Sequence, residues 1–263
     1  MKPNRFKQVL AEGRIPVGHM LLEFGARGMP RMLEEAGVDF VVVDMEHSGF
    51  TSADIADMMA WFRATTVAPF VRVPQVQYHL IARTLDAGAL GIMVPDVKNA
   101  AEVQDIVDAA KYAPLGKRGV GIGAANTNYK SVNPDEFLRY ANENTTIICQ
   151  IESQEGLDNL DAIASAPGVD VLWVGHFDLS RSLGITGQFR QPKFLDALKS
   201  VVAAARKHGV AAAIQPRDPT QAQEWVEIGF NVISYGVDFV VYMQAMTQGV
   251  AGIRRLDPNR ASS

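Results

Sequence analysis

The 263-residue chain contains one cysteine, Cys149, which excludes a disulfide framework within it. That cysteine lies in an apolar run and reads as a small buried hydrophobe rather than a nucleophile. No stretch of about eighteen apolar residues occurs, and Met1-Lys2-Pro3-Asn4-Arg5 enters a polar segment rather than an apolar leader. A membrane span and a secretory signal are therefore not expected, and a cytoplasmic protein is. Charge of one sign is also scarce: 25 Lys and Arg against 29 Asp and Glu leave −4, with no basic patch for nucleic acid or an anionic membrane. The glycine fingerprint G-x-G-x-x-G after the first strand is missing, which argues against an open, doubly wound sheet. What remains, 48% hydrophobic and 21% charged, is enough for a full globular core.

Short β-branched runs alternate with helical patterns along the whole length. Strands are expected at 16–22, 40–44, 68–73, 91–95, 146–151, 171–174, 211–215 and 232–236. Helices are expected at 4–12, 28–36, 52–64, 77–87, 98–112, 134–142, 159–166, 191–208, 219–228 and 238–254, several closed by glycine. A Gly-rich loop covers 114–133, and the tail from Asp257 is expected to fray. Eight β-α units without a linker point to an α/β fold, a (β/α)8 barrel forming one domain over 1–263.

Barrel enzymes carry their sites at the C-terminal strand ends. Here Glu152 follows one strand and Asp178 the next, one β-α unit apart, where they could share a hard cation. The alternative is that each caps a following helix. Arg72 sits inside the apolar run Phe70-Val71-Arg72-Val73 and needs an anion: a substrate carboxylate, or a structural partner such as Asp44 or Glu46. His47 follows Asp44 by three residues, so that carboxylate could orient and charge the imidazole for acid/base work; the alternative is a helix cap. His176 is a lesser candidate for a third ligand, and His19 for the barrel mouth. Asp86, before the fourth strand, falls at the far end of the barrel and reads as structural within one subunit. Arg118-Gly119-Val120-Gly121-Ile122-Gly123 could cradle a phosphate, but a flexible substrate loop is the preferred reading.

Asp44-Met45-Glu46-His47, Val71-Arg72-Val73-Pro74, Leu85-Asp86-Ala87-Gly88, Met93-Val94-Pro95, Gln150-Ile151-Glu152 and Gly175-His176-Phe177-Asp178-Leu179-Ser180 occur in order. As a set, over about 6–250, they resemble the HpcH/HpaI family of class II, metal-dependent pyruvate aldolases. The resemblance implies a (β/α)8 barrel in a homo-oligomer, commonly a hexamer, that exchanges its last helix between partners. It implies that Glu152 and Asp178 bind Mg²⁺ or Mn²⁺, with Co²⁺ or Zn²⁺ as alternatives. It further implies that Arg72 binds pyruvate, that His47 and Asp44 form an acid/base dyad, and that Asp86 reaches a neighbouring subunit's site. Gln150, Gly175 and Phe177 fall beside the metal positions and are assigned to substrate binding. The implied reaction is reversible cleavage of a 4-hydroxy-2-oxo acid to pyruvate, or a related 2-oxo acid, and an aldehyde. It runs through an enolate held at the cation, as in aromatic-compound catabolism, and requires no Schiff-base lysine.

The chain departs from the family pattern in places. His176-Phe177 replaces the usual Pro-Ala, Asn126 stands where the loop often carries an arginine, and Met20 replaces a tryptophan at the mouth. These changes bear on which substrate fits, not on the chemistry. A citrate-lyase-β or malyl-CoA-lyase type is the competing enzyme reading, and would need a CoA surface. A non-catalytic binding barrel is the third.

Overall fold

Strands buried on both faces must be covered on both, and the computed structural model, which describes residues 1–256, does this by closing them into a barrel. β1 (Val17–Leu21), β2 (Phe40–Asp44), β3 (Ala68–Arg72), β4 (Gly91–Val94), β5 (Thr146–Ile151), β6 (Val171–Val174), β7 (Ala211–Ile214) and β8 (Val232–Val237) follow one another around it. Every pairing is parallel, including the closing pair β1–β8. The fold is thus a (β/α)8 barrel, and its strands match the sequence expectation to within two residues.

Helices α1 (Arg5–Ala11), α2 (Met29–Glu35), α3 (Ser52–Phe62), α4 (Tyr78–Ala87), α5 (Ala100–Ala110) and α6 (Pro134–Asn144) precede β5. After it come α7 (Gln154–Asp158), α8 (Leu160–Ala164), α9 (His176–Ser182), α10 (Pro192–His208), α11 (Pro219–Ile228) and α12 (Asp238–Arg254). The helix expected at 159–166 is the shorter α8, while α7 and α9 were not expected at all. The expectation for the tail from Asp257 lies outside the described residues. No helix among the described residues is long and apolar enough to cross a membrane.

The core has two shells. Between strands and helices pack residues such as Val41, Val43, Ile92, Ile147 and Leu198. Inside the barrel, Phe40, Phe70, Met93, Ile148 and Trp173 form a separate cluster. α1 plugs its N-terminal end: the Phe6 ring meets Phe40 and Phe70 edge-on, at 5.1 and 5.2 Å. Lys2 Nζ locks the plug by donating to the carbonyls of Phe62, Thr65 and Val67 at 2.8, 2.8 and 2.6 Å. With that end sealed, the opposite end is the one left open for chemistry. In the 17 residues of α12 Asp238 is the only buried residue, so the helix buries no apolar side chain.

Candidate active site

Strand register builds the first part of the site. β2 and β3 pair with Asp44 opposite Arg72, so two residues 28 apart in sequence meet at the rim. Arg72 Nε and Nη2 donate to the two Asp44 carboxylate oxygens at 2.8 and 2.6 Å, a bidentate fork buried in the protein. Burial works against the guanidinium's charge, yet the Asp44 hydrogen bonds outweigh it and hold the pKa above its ordinary value. The structural partner offered for Arg72 is therefore present. Asp44 also accepts the backbone N–H groups of Glu46 and His47, at 2.9 and 3.3 Å.

That arrangement corrects the expected dyad geometry. Asp44 holds the backbone of His47, while the imidazole lies out of its grip, 59% exposed and 3.7 Å from Glu46 Oε2. Asp44 has no oxygen to spare, because the β2–β3 register gives it Arg72. Nor is His47 a helix cap: Thr51 caps α3, in a capping box with Asp54.

Glu152 follows β5 and is 8% exposed. Its Oε1 accepts the backbone N–H of Asp96 at 2.8 Å, and its Oε2 accepts Gln150 Nε2 at 2.5 Å. Asp96 sits in the left-handed region at φ 48°, a conformation Asp tolerates, and this turns its N–H toward the carboxylate. Ser153, not Glu152, caps α7. Burial, reinforced by Glu46, pushes Glu152 up to about 7. Asp178 occupies the first turn of α9, which springs directly from β6. Gly175 closes the gap between them: a Cβ there would lie 2.8 Å from Glu152 Cβ and 2.6 Å from Gln150 Nε2.

A cavity of about 330 Å³ joins these elements, with His47, Arg72, Gln150, Glu152, Gly175, Phe177 and Asp178 all on its wall. Its outer part is apolar, with Leu22, Phe177, Pro216 and Val240, and carries Arg217. Phe177 is 61% exposed and meets Phe189 edge-on. His176 turns into an aromatic cluster with Phe177, Phe189 and Trp225, where burial lowers its pKa to about 4. Among the described residues no group of three His, Cys, Asp or Glu side chains is placed to hold a metal ion, so His176 does not complete a ligand triad. His19 bonds the Tyr235 carbonyl through Nδ1, at 2.8 Å.

The donor set suits a hard divalent cation. Two carboxylates face one cavity, one is pushed toward the protonated form by burial, and the buried Gln150 Oε1 has no hydrogen-bond partner. Glycine at 175 leaves the carboxylate its space.

Asp86 is absent from this cavity. Arg118 Nη2 donates to it at 2.6 Å, and Asn126 Nδ2 lies 3.5 Å away while donating to the Gly121 carbonyl at 2.6 Å. Gly119 N donates to Tyr78 Oη, so the Gly-rich loop is pinned along α4 rather than free over its own chain's site. Sequence reasoning missed Asp96, and it offered Glu46 only as a structural partner for Arg72, which it also is, at 3.1 Å. Asp96 follows the Met93-Val94-Pro95 strand end, and Glu46 sits within the Asp44–His47 motif. It also missed Asp238, whose carboxylate accepts the N–H groups of Leu22, Glu23 and Phe24 and ties α12 to the chain after β1.

The comparisons with known proteins make this barrel, with its two cavity carboxylates and clamped arginine, a carbon–carbon lyase of the aldolase class. The model of the HpcH/HpaI aldolase/citrate lyase family matches residues 25–245, and the chain belongs to that family. The 2-keto-3-deoxy-L-rhamnonate aldolase of Salmonella gallinarum is 32% identical over 248 residues, 94% of this chain and 92% of the relative. The 5-keto-4-deoxy-D-glucarate aldolase of Citrobacter koseri is 34% identical over 252 residues, 95% of each chain. The crystal structure of an HpcH/HpaI aldolase from Desulfitobacterium hafniense superposes with a TM-score of 0.92 at 34% identity, covering 96% of this chain and 97% of that one.

Proposed function

We propose that the protein reversibly cleaves a 4-hydroxy-2-oxo acid to pyruvate, or a related 2-oxo acid, and an aldehyde, using a divalent cation. The observation that carries this reading is the pair Glu152 and Asp178 on one cavity wall, with Gly175 leaving room for the Glu152 carboxylate. Those two carboxylates would hold Mg²⁺ or Mn²⁺. When bound, such a cation polarises the 2-oxo group as a Lewis acid, so that the adjacent carbon loses a proton more readily.

The chain's own groups supply the rest. Gln150 and the Asp96 N–H fix Glu152 from two sides, so its carboxylate is aimed before substrate arrives. Arg72, already gripped by Asp44, offers its Nη1 edge to the substrate carboxylate and to negative charge developing beside it. His47 moves a proton at the pyruvate methyl carbon, or at the hydroxyl of the aldol. The apolar outer wall at Phe177 and Val240 receives the aldehyde portion and excludes water from it. The two aldolases named above are equally similar to the chain, at 32% and 34%, and do not choose the aldehyde between them.

The exposed apolar side chains of α12, among them Phe239, Tyr242, Met243, Met246 and Ile253, support a homo-oligomer in which this helix packs on a partner; a cytoplasmic hexamer is the form we propose. In it, Asp86 would approach a neighbour's cavity. The test of the activity is a panel of aldehydes with pyruvate and several divalent metals. Aldol formation that requires a metal supports the reading, and turnover of acyl-CoA substrates alone would favour the CoA-lyase type.

A further inference from the structure

Among the described residues, Glu46 is the carboxylate that lies within ion-pair distance of the His47 imidazole at the Arg72 corner. Both Asp44 oxygens are committed twice: Oδ1 to Arg72 Nε and the Glu46 N–H, Oδ2 to Arg72 Nη2 and the His47 N–H. Glu152 is held by Asp96 and Gln150. Glu46 Oε2 is buried and has no hydrogen bond. It lies 3.1 Å from Arg72 Nη1, an ion-pair distance off the N–H direction, and 3.7 Å from His47 Nε2. One uncommitted oxygen thus stands between the guanidinium edge that Asp44 leaves open and the ring of the acid/base histidine.

We infer that Glu46 is the positioning residue for His47, released to the imidazole when a substrate carboxylate takes its place on Arg72 Nη1. The inference rests on the aldolase reading and deepens it. Glu46 stands in for substrate at Arg72, because both are carboxylates competing for one donor edge. Once displaced, Glu46 has the Nε2–H of His47 within reach, and a shift of about an ångström closes 3.7 Å to an ordinary hydrogen bond of about 2.8 Å. Accepting from Nε2 fixes the tautomer and leaves Nδ1 to take the proton. Substrate binding is thereby coupled to assembly of the base, and Asp44 acts as the clamp of Arg72.

The test uses full-length enzyme loaded with Mn²⁺, as wild type, Glu46→Gln, Glu46→Asp, His47→Ala and the double variant Glu46→Gln/His47→Ala. Deuterium exchange into the pyruvate methyl group is followed at saturating pyruvate, and pyruvate affinity is measured by calorimetry. Glu46→Gln is expected to slow exchange by about 10²-fold, in the range of a lost acid/base contribution, while pyruvate binds as tightly as to wild type or more tightly. Glu46→Asp, which keeps the charge, should retain more exchange than Glu46→Gln. In the His47→Ala background, Glu46→Gln should add no more than about a twofold loss, because the two residues act as one unit. Multiplicative losses in the double variant, or weakened pyruvate binding in Glu46→Gln, would overturn the assignment, since Glu46 would then serve Arg72 and the fold alone. A wild-type enzyme with no exchange overturns the aldolase reading and this role with it. Wild-type exchange unaltered by Glu46→Gln overturns the role and leaves the aldolase reading standing.

Discussion

Replacing Gly175 by alanine is the smallest change that should disable the site while sparing the barrel. The backbone there has φ −82° and ψ 82°, which alanine can adopt, so the glycine is needed for space rather than for conformation. A Cβ would lie 2.8 Å from Glu152 Cβ and 2.6 Å from Gln150 Nε2, with Glu152 Oε2 closer still. Carbon contacts settle at about 3.5–4.0 Å, so the carboxylate must retreat by roughly 1 Å. The Asp96 N–H holds its other oxygen, so the retreat breaks at least one of the bonds that aim it. Misplacement of about 1 Å typically costs about 10²-fold in rate, whereas the overpacking itself costs stability of only about 1–3 kcal/mol. Calorimetric Mn²⁺ titration, a thermal melt and an aldol-cleavage assay together read all three effects. Gly175→Ala is expected to fold, to bind Mn²⁺ more weakly and to turn over about 10²-fold more slowly. A variant with wild-type metal affinity and wild-type turnover would refute the steric argument.

Other outcomes follow from the same geometry. Arg72→Lys keeps the charge but loses the fork on Asp44 and the planar edge, so pyruvate affinity should fall by about 10–10²-fold, the scale of one charged hydrogen bond; calorimetry reads it, and undiminished affinity contradicts the assignment. Asn126 is committed to the Gly121 carbonyl and offers no positive charge, so succinic semialdehyde should show less than about a 100-fold kcat/KM advantage over glycolaldehyde, the scale of ~3 kcal/mol. A larger preference would assign Arg217, on the cavity wall, to the aldehyde's distal carboxylate. Burial, then Glu46, raises Glu152 to about 7, so in the metal-free folded protein it stays protonated where the unfolded chain has already ionised. Its contribution therefore erodes stability as pH rises from the ordinary glutamate range toward 7 and is constant above. Cation binding, which needs the carboxylate, weakens by about tenfold per unit below 7. Urea melts and Mn²⁺ titrations across that range check both slopes, and a pH-independent affinity contradicts the shift.

The strand ends were readable because a fully buried parallel strand is a short β-branched run that stops where the chain reaches polar residues, as Val41-Val42-Val43-Asp44 does. Which carboxylate serves which cation was not readable, because it depends on register. Asp44 lies beside His47 in sequence but opposite Arg72 in the sheet, and the sheet decides. α9 escaped notice because it starts within two residues of β6, with Gly175 rather than a Ser, Thr, Asp or Asn at its cap. The Gly-rich loop read as mobile from its composition, yet bonds to Tyr78 and Asp86 hold it to α4, and Asn126 bonds the Gly121 carbonyl within it. Asp96 gives its own N–H to the distant Glu152 carboxylate, and the Asp238 carboxylate accepts the N–H groups of Leu22 to Phe24, contacts no local pattern encodes.

The central claim is that Glu152 and Asp178 hold a divalent cation without which pyruvate is not activated. Its most direct test is deuterium uptake into the pyruvate methyl group by wild-type, Glu152→Ala and Asp178→Ala enzyme, after EDTA treatment and again after Mn²⁺ is restored. The account predicts that exchange in the wild type stops with EDTA and returns with Mn²⁺, and that neither variant exchanges under either condition while both stay folded. Full exchange by EDTA-treated wild-type enzyme, or by either variant, would contradict it.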